Sequence, residues 1–225
     1  MAPLARDYEQ LDTAASQLSH ILLEAGICHV FYGGYAACLL GSNRVTKDIN
    51  VITERHVASA LNQIRQFKWS SEGQCWIFEL GDIKASISTV MPNSGGEWQV
   101  PSPRSSRRLA ITPSEVPDRM LRVKIDILHP SILLLTKLGA WDEARKSKDP
   151  IDNLRAKGHF GDIMAILRWI SYEEDRINVA EFPGVPAKKL QRQLCRLFKD
   201  KPKTRPLLAS CMSFRDFRAV ITSSD

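Results

Sequence analysis

The chain has 225 residues, 44% of them hydrophobic, which suits one domain with appendages or two small lobes and excludes a disordered, collagen-like or fibrous protein. A formal net charge of +6 and a pI of about 9.1 favour anionic partners (nucleotides, RNA or acidic metabolites) without choosing among them. No apolar run approaches membrane-spanning length, and the opening MAPLARDYEQ carries Asp7 and Glu9 where a secretory signal would be apolar, so a cytoplasmic protein with no membrane partner is expected.

The first expected element is an amphipathic helix over residues 6–25, with Leu11, Ala14, Ala15, Leu18, Ile21 and Leu22 near helical spacing and Gly26 as its stop. A short apolar strand follows at 28–32. Gly33-Gly34 then turns the chain into a short helix at 35–40, and a second strand spans 48–52. Residues 54–67 read as a helix, with Val57, Leu61 and Ile64 on one face. Strands are expected at 75–80 and 83–90. Residues 92–119 are rich in Pro, Ser, Gly and Arg and read as a long loop, either a lid or a surface insertion, in which Trp98 could cover a ligand and Arg104, Arg107 and Arg108 could grip an anion. A strand at 120–128 ends at His129-Pro130. Helices at about 131–145, 150–171, 187–199 and 213–221 complete the chain. The layout is a mixed α/β core over 1–130 followed by a helical region over 131–225.

The five cysteines are scattered and show no C-x-x-C pair, which argues for free thiols and against a zinc site or disulfide framework. Nothing in the sequence indicates haem, flavin or NAD. The chemistry-bearing residues cluster around the Gly-Gly corner. Asp48 and Asn50 are two apart on one strand, so both point to the same face. Asp126 lies on a later strand. If those strands are neighbours, the three side chains can converge on one point and hold Mg²⁺, a hard ion that prefers oxygen ligands. His129, directly after the third strand, has the pKa range of a general base, although a His before Pro also suits a structural role.

Tyr32-Gly33-Gly34, a spacer, Asp48-Ile49-Asn50 and a later Asp126 within VKIDIL together resemble the nucleotidyltransferase superfamily, the DNA polymerase β-like fold. Arg44-x-Thr46-x-Asp48 is similar to that family's small bacterial-type branch, as is the segment TKLGAWDEARKSKDPIDNL. The resemblance covers roughly residues 10–170. It implies an α+β fold, a small mixed sheet flanked by helices. It further implies that Asp48 and Asp126 hold Mg²⁺, that Gly33 and Gly34 admit a triphosphate, and that Arg44, Thr46, Lys137 and Lys148 contact substrate, with Arg145 and Asp149 nearby. Asn50 departs from the pattern, because the family has a carboxylate there. An amide brings no charge, and it can donate a hydrogen bond as a carboxylate cannot.

Three functions follow as expectations. The first is an enzyme that transfers a nucleoside monophosphate from a nucleoside triphosphate to an acceptor. The second is a metal-independent enzyme on the same fold, closing or rearranging a small metabolite, with Asn50 and either Arg44 or His129 polarising a carbonyl. The third is a non-catalytic module that binds RNA or a protein partner.

Overall fold

A computed structural model describes residues 5–92, 101–111, 124–182 and 184–223. Trp98, most of the long loop and the first residues of the expected 120–128 strand lie outside the described residues. The chain divides into two compact units: Met1–Leu39 with Val45–His129, and Leu40–Arg44 with Pro130–Asp225. The division after His129 lies one residue from the expected boundary. The short Leu40–Arg44 segment, however, belongs with the helical unit.

The first unit is mixed α/β. Helix α1 (Ala5–Glu24) ends as its sequence directs: Gly26 adopts φ +64°, its N–H donates to the Leu23 carbonyl at 2.9 Å, and the Ile27 N–H donates to Leu22 at 2.8 Å. That pair of bonds satisfies the last-turn carbonyls around a left-handed glycine. Strand β1 (His29–Tyr32) leads through Gly33 into the short helix α2 (Gly33–Leu39). Strand β2 (Asp48–Thr53) follows, then a one-turn helix α3 (Ala58–Leu61) and strands β3 (Phe67–Ser70), β4 (Cys75–Leu80), β5 (Ile83–Val90), β6 (Arg108–Ile111) and β7 (Ile125–Leu128).

These strands form one sheet in the order β3-β4-β5-β2-β1-β7-β6, in which β2 runs parallel to β5 and β1 parallel to β7. The expected helix at 54–67 shrinks to the four residues of α3, and Phe67–Ser70 is instead an edge strand opposite Phe78–Cys75. Aromatic cross-strand pairs explain the difference: Phe67 meets Phe78 and Trp69 meets Trp76, with ring centroids 5.1 and 5.4 Å apart. Partners on the next strand, 7 and 11 residues away, are invisible to helical periodicity.

One face of the sheet is the core. Phe31, Ile49, Val51, Phe78, Ile87, Ile125 and Ile127 are fully buried there, together with Leu18 and Leu22 of α1. His29 points to this same face and meets Ser19 of α1 at 2.9 Å. Tyr35 of α2 donates to the buried Asp12 carboxylate of α1 at 2.9 Å, which ties α2 to α1.

The second unit is helical: α4 (Pro130–Ala144), α5 (Pro150–Tyr172), α6 (Ala187–Asp200), α7 (Arg205–Cys211) and α8 (Phe214–Ile221). Helix α4 is apolar nearly all round and is its central rod, with Leu133, Leu134, Leu135 and Leu138 fully buried. The Asp149 carboxylate caps α5 by accepting from the Ile151 N–H at 2.8 Å, and Pro150 fills the first turn, where no N–H is needed. Asp142 of α4, buried to 1% exposure, accepts from Arg145 at 3.0 Å and from Arg196 of α6 at 2.9 Å. Among the described residues no helix is long and apolar enough to cross a membrane.

Candidate functional site

The opposite face of the first unit's sheet carries the polar residues, next to the fully buried Val30 and Ile52 on the same strands. Register fixes its layout: Tyr32 of β1 lies opposite Asn50 of β2, and on the other side Ser86 and Ser88 of β5 lie opposite Asp48 and Asn50. Paired residues project to the same face, so Tyr32, Asp48, Asn50, Ser86 and Ser88 form one polar patch. Asp48 is exposed and the other four are half-buried. Burial pushes the Tyr32 phenol above its ordinary pKa, so it stays an O–H donor at neutral pH. Thr46, buried, closes the mouth of β2 by pairing its hydroxyl with the backbone N–H and carbonyl of Asp48, each at 3.4 Å.

Gly33 is at this corner for two reasons. Its φ is +79°, in the left-handed region. A Cβ there would also stand 2.7 Å from Asn50 Nδ2 and 3.1 Å from Asn50 Cγ. The amide of Asn50 therefore lies directly on the Gly33 backbone, and Gly34, buried in the first turn of α2, holds the corner behind it.

Asp126 does not join Asp48 and Asn50, contrary to expectation. It shares their face of the sheet, but Phe31 pairs with Ile127, which sets Asp126 level with Val30, whereas Asn50 is level with Tyr32. Strand β1 runs between them. Two residue steps along the strand and two strands across make roughly 12 Å, too far for a shared ion. Asp126 instead accepts from Arg108 of β6 at 3.4 Å. It lines a cavity of about 400 Å³ with Cys28, His29, Arg108 and Lys124, toward the start of β1 and away from the Gly33 corner. The position beside Asp48 and Asn50 where a third carboxylate could meet them belongs to β5, and this chain has serines there.

His129 is likewise elsewhere. It is buried, its Nε2 accepts from Arg107 at 3.2 Å, and its backbone N–H donates to the Arg107 carbonyl at 3.0 Å, which pins the start of β6. Arg104 is paired with Glu54.

Arg44 and Lys137 belong to the second unit, and both surround a carboxylate that the sequence did not single out. Asp162 of α5 is fully buried; it accepts from Lys137 Nζ at 2.7 Å, Ser42 Oγ at 2.7 Å and Arg44 Nη1 at 3.1 Å. Lys137, expected to face a phosphate, is 4% exposed and committed to this ion pair. Beside it, His159 Nδ1 is buried without a partner. Burial, followed by the charges of Lys137 and Arg44, pushes the His159 imidazole down to about 4, so it is neutral at physiological pH. Lys148 is exposed in the α4–α5 connection. Arg145 lies over the Trp141 ring at 5.0 Å and bonds Asp142 and Asp200.

Three site residues escaped the sequence reading. Tyr32 counted only as the apolar member of the Gly-Gly motif. Ser86 and Ser88 alternate visibly in IKASISTV, but no local signal says that β5, rather than β7, borders β2. Among the described residues no group of three or more His, Cys, Asp or Glu is placed to hold a metal ion.

No protein-family model matches the chain, and no curated protein matches it. Solved structures do. An antigenic nucleotidyltransferase-like protein from Paracoccidioides brasiliensis superposes with a TM-score of 0.68 at 16% identity, over 91% of this chain and 94% of its own. The antibiotic-resistance factor ANT(2'')-Ia gives a TM-score of 0.40 at 13% identity, over 87% of this chain and 97% of its own, a likeness too loose to bear on the fold. The first establishes a nucleotidyltransferase-like fold, in keeping with the mixed seven-stranded sheet.

Proposed function

We propose that this nucleotidyltransferase-fold chain handles a small organic molecule through hydrogen bonds on the Tyr32–Asn50–Asp48 face, by a metal-independent reaction, in place of two-metal nucleotidyl transfer. One observation carries the reading: among the described residues, the groups that register assembles around Asp48 are an amide, two serine hydroxyls and a phenol, with Asp48 the one carboxylate. Two-metal transfer requires carboxylates that bridge ions about 4 Å apart. A lone carboxylate supplies neither the bridge nor the charge on which Mg²⁺ affinity depends, so this donor set does not fit the pair of ions.

The same groups suit a carbonyl substrate. Tyr32 and Asn50 are a cross-strand pair and supply two donors aimed to one side, the phenol kept protonated by burial. A carbonyl oxygen accepting both would be polarised as charge develops on it, the role of an oxyanion hole. Asp48, an exposed carboxylate on the same face, takes a proton from the bound molecule in this reading. A ring closure or rearrangement of a carbonyl metabolite uses all three.

Thermal-shift and calorimetric screening of carbonyl metabolites, each with and without EDTA, tests this. The expected result is a ligand whose binding survives EDTA, is lost in Asn50→Ala and weakens about tenfold in Tyr32→Phe. Mg²⁺-dependent release of pyrophosphate from ATP, CTP, GTP or UTP, abolished by Asp48→Asn, would overturn it. That outcome would establish the second reading, nucleotidyl transfer around a single Mg²⁺ on Asp48, which the fold and the Gly33 corner against Asn50, two residues along β2, favour.

A further inference from the structure

The net positive charge of the chain has one address. Residues 187–223 hold ten Lys and Arg against two Asp, a surplus of eight, while the rest of the chain carries 21 basic against 23 acidic residues. This segment is α6 to α8, all in the second unit. Its two acids are already engaged: Asp200 with Arg145 at 2.7 Å, and Asp216 with Ser213 at the start of α8.

On α6 the charge is sorted by face. Leu190, Leu194 and Leu197 are buried on one side. Lys188, Lys189, Arg192 and Lys199 recur at three-, four- and seven-residue spacings on the opposite side, all exposed. Next to that arc on the helical wheel come Cys195 and Phe198, which touch α8 and the residues just after it: Phe198 meets Phe217 edge-on at 5.8 Å, and Cys195 Sγ meets the Ser223 carbonyl at 3.2 Å. Helix α8 therefore lies alongside the basic arc. Its outer face presents Phe214, 82% exposed, with Arg215 and Arg218 beside it and Ile221 one turn further on.

A bare aromatic ring flanked by arginines, next to a cationic stripe, is the combination that holds single-stranded nucleic acid: cations track the phosphates while a base stacks on the ring. We propose that α6 and α8 form a binding surface for single-stranded nucleic acid, with Lys188, Arg192 and Lys199 on phosphates and Phe214 under a base. An anionic membrane fits less well, because the apolar face of α6 is already buried in the unit and cannot enter lipid. The proposal is independent of the Asn50 face.

Fluorescence anisotropy of the full chain with labelled 12-mer oligo-U RNA and oligo-dT tests it, alongside co-sedimentation with phosphatidylserine vesicles. If about four phosphates are neutralised, log K falls with log salt at a slope of about −3, or about fiftyfold weaker binding from 50 to 200 mM salt. The triple variant Lys188→Glu, Arg192→Glu, Lys199→Glu should abolish binding, and Phe214→Ala should weaken it about tenfold while leaving the salt slope unchanged. All four side chains are exposed, so unchanged melting temperatures will show that the fold survives. No binding, binding untouched by the triple variant, or capture by vesicles in its place would each overturn the assignment.

Discussion

At the residue scale the molecule turns on two close contacts, one in each unit: a steric fit at the Gly33 corner and a buried ion pair at Asp162. Gly33 and Asn50 are mutually fitted, since the amide occupies the space a Cβ would need. Gly33→Ala should lower stability by about 2–4 kcal/mol through backbone strain and overlap. The double variant with Asn50→Ala should recover about 1 kcal/mol of that, read from urea midpoints in a double-mutant cycle. Asp162 is the second contact. Replacing it with Ala would leave Lys137 buried without its counter-charge, at a cost of about 3–5 kcal/mol in chemical denaturation.

His159 adds a pH dependence to the same cluster, with Lys137, Arg44, Asp162 and Arg155 as the charges that act on it. Its folded pKa of about 4 lies below the unfolded value of 6.5. The unfolded chain therefore binds the proton first. The stability is present above pH 6.5 and is lost as pH falls toward 4. The half-buried ring is screened by solvent, so the loss should be on the order of 1–2 kcal/mol. His159→Gln should flatten that part of the pH–stability curve relative to the unsubstituted chain. An unchanged difference between pH 7 and pH 4 would refute the assignment.

At the scale of elements, strand register decides which side chains meet. Because β1 separates β2 from β7, Asp126→Asn should leave ligand binding at the Asn50 face unchanged, whereas Ser88→Val, beside Asn50, should weaken it. Binding assays on the two variants separate the cases. Helix ends were more legible than strand neighbours. Gly26 closes α1 through bonds within a few residues, which is why its sequence signal sufficed; the Asp149-Pro150 cap of α5 is as local but was read only as lying near the substrate. Asp149→Ala should cost about 1 kcal/mol in thermal melts by removing the α5 cap. Strand β3 failed as a sequence reading for the opposite reason, since Phe67 and Trp69 owe their state to Phe78 and Trp76 across the hairpin.

At the scale of the whole molecule, an overall charge of +6 conceals a helical segment of +8 on a chain otherwise slightly acidic. The total alone could not show this, because composition has no place in it. The sequence by itself determined the mixed α/β class, the helical second half, the Gly33 corner and the shared face of Asp48 and Asn50. Each rests on periodicity, a turn residue or a two-residue spacing, all local in the chain. Only the tertiary structure decided that serines of β5 flank Asp48, that Asp126 answers to Arg108, and that Lys137 and Arg44 close on Asp162. Those outcomes depend on which strands lie side by side and which charge is buried against which. Such choices are made by packing between segments tens of residues apart, where local propensity has no purchase.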